Sequence, residues 1–238
     1  MPDESISNKI TLTPTDFGVG VQEVVLVKRF GGEPENADMP DSARRDLYRL
    51  AQETMPEREL RFSVDVEIPG LSVQLVCRRL YHADGKIYRL VYLTKDAPDP
   101  RKFGPKPQDE IATLISMWGA RHAFKTPPIG GVIMHYFFDP LKRNPIVGKY
   151  EYPVIFDEDR AESIILERLV AIRDAMPKAT AELPECNEIE RHSQKNDPYH
   201  KCRFYCRART YCPQAKSVVH PDAQTTGGSA LLQDDPGN

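Results

Sequence analysis

Four of the five cysteines in this 238-residue chain fall between Cys186 and Cys212. That clustering limits what the chain can be more than any other feature. In a reducing compartment, thiols grouped in this way point to a metal rather than to disulfides. After Cys186 come fifteen residues, then Cys202, three residues, Cys206, five residues and Cys212. Structural zinc sites usually present two close Cys-x-x-Cys-like knuckles, and this chain has none. Three thiolates from one tight segment and a fourth from a distance suit a four-iron cluster, which needs four ligands around a larger object. Zinc is the alternative, with His192 or His200 able to replace one cysteine. The fifth cysteine, Cys77, lies in an apolar run and is expected to be a small buried core residue.

The cysteine segment is also basic. Lys201, Arg203, Arg207 and Arg209 stand among Phe204, Tyr205 and Tyr211, and no acidic residue occurs from His200 to Lys216. Cations interleaved with aromatics can hold phosphate charge and stack bases, so Lys201, Arg203, Tyr205, Arg207 and Arg209 are candidate nucleic-acid contacts. The same cations could instead offset the negative charge of a thiolate-bound cluster. The net charge of −3 excludes a general polycation, so any such contact is local. No stretch reaches the ~20 apolar residues of a membrane span, and the N-terminus lacks a secretory pattern. A cytoplasmic protein is expected, with no membrane partner.

Along the chain, residues 1–19 are expected to be a flexible N-terminus and 20–176 an α/β core. Residues 177–216 form the cysteine module, and 217–238 a disordered tail rich in small polar residues. Val21–Phe30 is rich in β-branched residues and reads as a strand. Asp41–Glu53 reads as a helix, and Leu60–Glu67 as a strand. Leu71–Tyr81 and Ile87–Lys95 read as a hairpin turned by Asp84-Gly85. A helix is expected from Pro107 or Gln108 to His122, then strands Val132–Phe138 and Lys149–Phe156. The last helix is Glu158–Met176, capped by Asp157. The order predicts a mixed α/β fold around one sheet.

The run Leu183-Pro-Glu-Cys186, followed by Lys201-Cys202-Arg-Phe-Tyr-Cys206-Arg-Ala-Arg-Thr-Tyr-Cys212-Pro, resembles the cysteine module that closes many RecB-like nucleases. These include the CRISPR-adaptation exonucleases and phage recombination exonucleases. Val154-Ile-Phe-Asp-Glu-Asp-Arg-Ala-Glu162, leading into a long helix, is similar to the phage members. The resemblance covers about residues 40–213. It implies a PD-(D/E)XK, restriction-endonuclease-like core with an iron–sulfur module on Cys186, Cys202, Cys206 and Cys212. It also implies DNA as a partner, and a protein partner in a phage, plasmid or defence assembly.

Such nucleases carry an Asp on the second core strand and a Glu/Asp-x-Lys on the third, where the carboxylates hold Mg²⁺ or Mn²⁺. Here the acidic positions fall near Gln74 and Tyr92, and only Lys95 of the catalytic set remains. An amide and a phenol do not replace two carboxylates as ligands for a hard divalent cation. The expectation is a degenerate nuclease that binds DNA or a partner. The alternatives are an active Mg²⁺- or Mn²⁺-dependent exonuclease recruiting Asp65, Glu67 or Asp96, and a zinc-stabilised adaptor. Gln108 is expected to be a first-turn polar residue, and His135 a packed strand histidine.

Overall fold

The computed structural model describes residues 9–31, 59–94, 99–138, 146–187 and 206–215. Among them six strands form one mixed sheet. They are β1 (Lys9–Leu12), β2 (Glu59–Ile68), β3 (Leu71–Ala83), β4 (Lys86–Thr94), β5 (Gly130–Phe138) and β6 (Ile146–Val154). The helices are α1 (Val21–Phe30), α2 (Pro100–Phe103), α3 (Pro107–Ala123) and α4 (Glu158–Ala175). A mixed α/β architecture is therefore what the chain forms. No helix among the described residues is long and apolar enough to cross a membrane.

The hairpin β3–β4 turns as its sequence dictates. Asp84 (φ 49°) and Gly85 (φ 74°) both take left-handed backbone, the geometry of a two-residue turn that matches strand twist. β2 lies antiparallel along β3, and β4 runs parallel to β5 through α3 before β6 returns antiparallel. On its other edge β3 has two successive partners. From Ser72 to Leu75 it pairs with β1, and from Leu80 to Ala83 with β4. β3 and β4 thus part beyond the Leu80–Arg89 pair, leaving a fork. Near it Arg79 adopts φ 58°, and its backbone N–H donates to Glu59 Oε1 at 3.1 Å. This bulge shifts the alternation, so that Cys77 and Leu80 both face the core.

The main core lies where Val73, Leu75, Leu80 and Ile87 of the sheet meet Leu114, Ile115 and Trp118 of α3. Ile165, Leu169 and Ile172 of α4, at helical spacing, join the same cluster. Asp157 caps α4 by accepting from the Arg160 backbone N–H at 2.9 Å. Gly131 lets β5 approach α3, because an added Cβ would stand 2.5 Å from Met117 Sδ and 2.8 Å from Thr113 Cγ2. Gly131→Ala is expected to destabilise the fold by about 1–3 kcal/mol through overpacking. A denaturation midpoint equal to that of the wild type would show that α3 can simply withdraw.

Two sequence expectations require correction. Val21–Phe30 is a helix, not a strand, because its tertiary partners enclose it, with Val24 in the main core and Val25 and Leu26 against the cysteine segment, and override β-branched propensity. Residues 9–19 are not a flexible leader: Lys9–Leu12 pairs with β3, and the 3-10 turn Pro14–Phe17 buries Phe17 in the core. The expected helix Asp41–Glu53 and the tail 217–238 lie outside the described residues.

Candidate metal centre and its ion network

The cysteine module docks on α1. Val25 and Leu26 of that helix pack with Cys206, Ala208, Cys212, Ala215 and Leu183 in a cluster of its own. The segment from Cys206 coils tightly: Arg209 N–H donates to Cys206 O at 3.2 Å, and Cys212 N–H to Ala208 O at 2.9 Å. Ala208 and Ala215, both fully buried, are small enough to let this coil press against the helix. Tyr211 stacks on Phe30 at the far end of α1, with ring centroids 5.1 Å apart.

Three of the four expected ligands, Cys186, Cys206 and Cys212, are among the described residues. Gln22, at 3% exposure, brings two of them to one point: its Oε1 stands 3.3 Å from Cys212 Sγ and 4.0 Å from Cys186 Sγ. Burial pushes the Cys212 thiol up, and the Glu23 and Glu185 carboxylates push the same way. The backbone N–H groups of Ala215 and Gln214, pointing at the sulfur, oppose them. Cys202 lies outside the described residues, and among those described no three His, Cys, Asp or Glu side chains can hold a metal ion by themselves. The donor set nonetheless suits a thiolate-bound cation. Two backbone donors are already aimed at a sulfur, which stabilises thiolate character there. Cys77 is separate: burial holds its thiol at about 12 against the nearby Arg89 charge, and it sits fully buried in the main core.

Arg207, a candidate nucleic-acid contact on sequence grounds, points inward. Its Nη2 donates to Asp16 Oδ1 at 2.8 Å and its Nε to Glu23 Oε1 at 3.0 Å. The two carboxylates are 1% and 2% exposed at their side chains, and the arginine 18%. Burial alone would raise the Asp16 carboxyl. The Arg207 guanidinium, the Thr13 backbone N–H and Lys28 outweigh it and hold the group below the usual carboxylate value. Arg29 adds a further tie, donating to the carbonyls of Ala175, Met176 and Lys178 at the end of α4, where cations satisfy orphan acceptors. Gln22, Glu23 and Asp16 were not legible as site residues. The only sequence signal is that two polar residues open an otherwise apolar segment, Val21 to Val27.

The other expected residues separate. Arg209 is half-buried in the coil, whereas Lys201, Arg203, Tyr205, Lys95 and Asp96 lie outside the described residues. Gln74 sits on β3 opposite Thr11 and Asp65, on the face turned away from the core residues Val73 and Leu75. Asp65 and Glu67 point outward from β2, and Asp65 pairs with Lys9 at 3.0 Å. Gln108 lies in the first turn of α3, where its Cα would be 2.8 Å from a Cβ on Gly18. His135, on β5, is 1% exposed.

No family model and no curated protein matches this chain. Among solved structures it is similar to that described as the crystal structure of SSO0001. The identity is 13% and the TM-score 0.46, over 67% of this chain and 75% of that one. That likeness is too slight to carry a family or an activity across. What the fold defines by itself is a mixed α/β protein with a cysteine-bearing segment docked on its first helix.

Proposed function

We propose that this chain is a RecB-like protein of the PD-(D/E)XK type with a four-iron cluster on Cys186, Cys202, Cys206 and Cys212. In this reading it binds DNA and has lost nuclease chemistry. The observation that carries the reading is that Cys212 lies with Cys206 in the cluster on α1 and shares the Gln22 side chain with Cys186. The strand order supports it: an antiparallel run β2–β3–β4, then a helix, then β5 parallel to β4. Asp65 and Glu67 sit on an edge strand facing away from α3, which disfavours an active exonuclease built on them. When bound, the cluster would hold the C-terminal segment on α1 as a structural clamp, with the four thiolates as its ligands. DNA contact would fall to Arg209 together with Lys201, Arg203 and Tyr205.

The test is a pair of assays on one anaerobic preparation of the full chain. Oligonucleotide affinity is expected to fall steeply as salt rises, because phosphate contacts release counterions. No strand degradation is expected with Mg²⁺ or Mn²⁺. Metal-dependent degradation abolished by Asp65→Ala, Glu67→Ala or Asp96→Ala would replace this reading with the exonuclease. Absence of DNA binding would leave the zinc-stabilised adaptor.

A further inference from the structure

The fork between β3 and β4 holds a cation without a counter-ion. Arg89 is the last β4 residue paired with β3, and it lies on the same sheet face as Val91, which packs against α3 through Met117. Its Nη2 donates to Thr15 Oγ1 at 3.2 Å. Its Nε is buried and has no hydrogen-bond partner, and no carboxylate pairs with it among the described residues. A half-buried guanidinium offers five N–H donors, and leaving them unmet in a low-dielectric setting is costly. Arg207, by contrast, has two acids, Asp16 and Glu23. An arginine held by one hydroxyl, with its Nε unmet, is matched in shape and charge by a tetrahedral oxyanion.

A second orphan donor lies on the same face. His135 pairs in register with Val91, two residues along from Arg89, and its buried Nδ1 has no partner. Tyr150 stacks beside its ring with centroids 6.5 Å apart, and Lys106 is near enough to help burial keep the imidazole neutral. A neutral imidazole can donate one N–H to an anion without adding charge.

We propose that Arg89 anchors a phosphate-binding site in the fork, positioned by Thr15 and flanked by His135. The site takes a phosphoryl oxyanion. The proposal rests on the DNA-binding reading only for the source of that group, a nucleic-acid backbone rather than free phosphate. It involves no metal: a fixed cation would receive the phosphate directly.

Two probes on the full chain separate these sources: a labelled single-stranded oligonucleotide titrated at several salt concentrations, and inorganic phosphate alone followed by thermal melting. For Arg89→Met we expect about a tenfold loss of oligonucleotide affinity and a salt slope reduced by about one. Arg89→Lys should recover part of the affinity, keeping the charge but not the planar fork. Phosphate should raise the melting temperature of the wild type and not that of Arg89→Met. A folded Arg89→Met variant that binds both probes like the wild type overturns the site. Should that variant fail to fold, Thr15→Val takes its place, and unchanged binding of both probes by it is equally fatal. If phosphate acts through Arg89 but oligonucleotides do not bind, the DNA reading falls and the site stands as one for a small phosphorylated ligand. If the wild type responds to neither probe, the site itself falls.

Discussion

Arg207→Ala will destabilise the protein by about 3–5 kcal/mol, the usual cost of removing one partner from a buried ion network. The variant leaves Asp16 and Glu23 buried without their cation, and the side chain removed is itself mostly enclosed. Chemical denaturation at neutral pH measures the loss. A change below about 1 kcal/mol would place the network among solvated surface pairs. The pH dependence gives an independent check. In the wild type the Asp16 carboxyl is held below its ordinary value, so its contribution is present above that value and lost as pH falls through the lowered one. In the variant, burial without Arg207 raises the same carboxyl, so acidification relieves the penalty. The gap between the two proteins should therefore narrow as pH drops from about 5 towards 3. A gap that widens over that range would contradict the network as described.

Replacing Cys202, Cys206 or Cys212 with alanine will strip the centre and unfold the segment that follows Leu183. Metal affinity at such a site is folding free energy, about 10–16 kcal/mol in small zinc domains. The measurement is iron, sulfide and zinc content after anaerobic purification, with a visible spectrum and limited proteolysis. The wild type should be brown, absorb broadly near ~400 nm and contain about four irons. The alanine variants should be colourless and cleaved in the module, while Cys77→Ala should keep its full metal content. One zinc and no colour would preserve the four-cysteine site but remove the cluster. Loss of metal in Cys77→Ala, with retention in Cys186→Ala, would show that the ligands have been wrongly assigned.

The hairpins and the two long helices were legible because their signals are local. Asp84-Gly85 fixes a turn by backbone conformation alone, and Asp157 starts and caps a periodic segment. The first helix was not legible, for the opposite reason. Val24, Val25 and Val27 favour a strand in isolation, and only distant partners bury the helix: the main core takes Val24, and the cysteine coil covers Val25 and Leu26. Arg207 misled in the same way. A basic residue in a basic run reads as a surface cation, and its acids lie 191 and 184 residues earlier. The bulge at Arg79 has no signature in the sequence, since a non-glycine residue at positive φ is set by its surroundings. The clustering of the cysteines was plain in the spacing, whereas the part played by Gln22 required the fold.

That long separation has a consequence for how the protein is made. Asp16 and Glu23 leave the ribosome 191 and 184 residues ahead of the arginine that neutralises them. Until Arg207 follows, α1 and the turn before it carry two acids destined for the interior and lack the surface that would cover them. The nascent protein must hold its first helix unsealed while those intervening residues are made. Closure joins two distant parts of the message in one event, and slow, non-local closure of this kind exposes the newborn chain to proteases and chaperones.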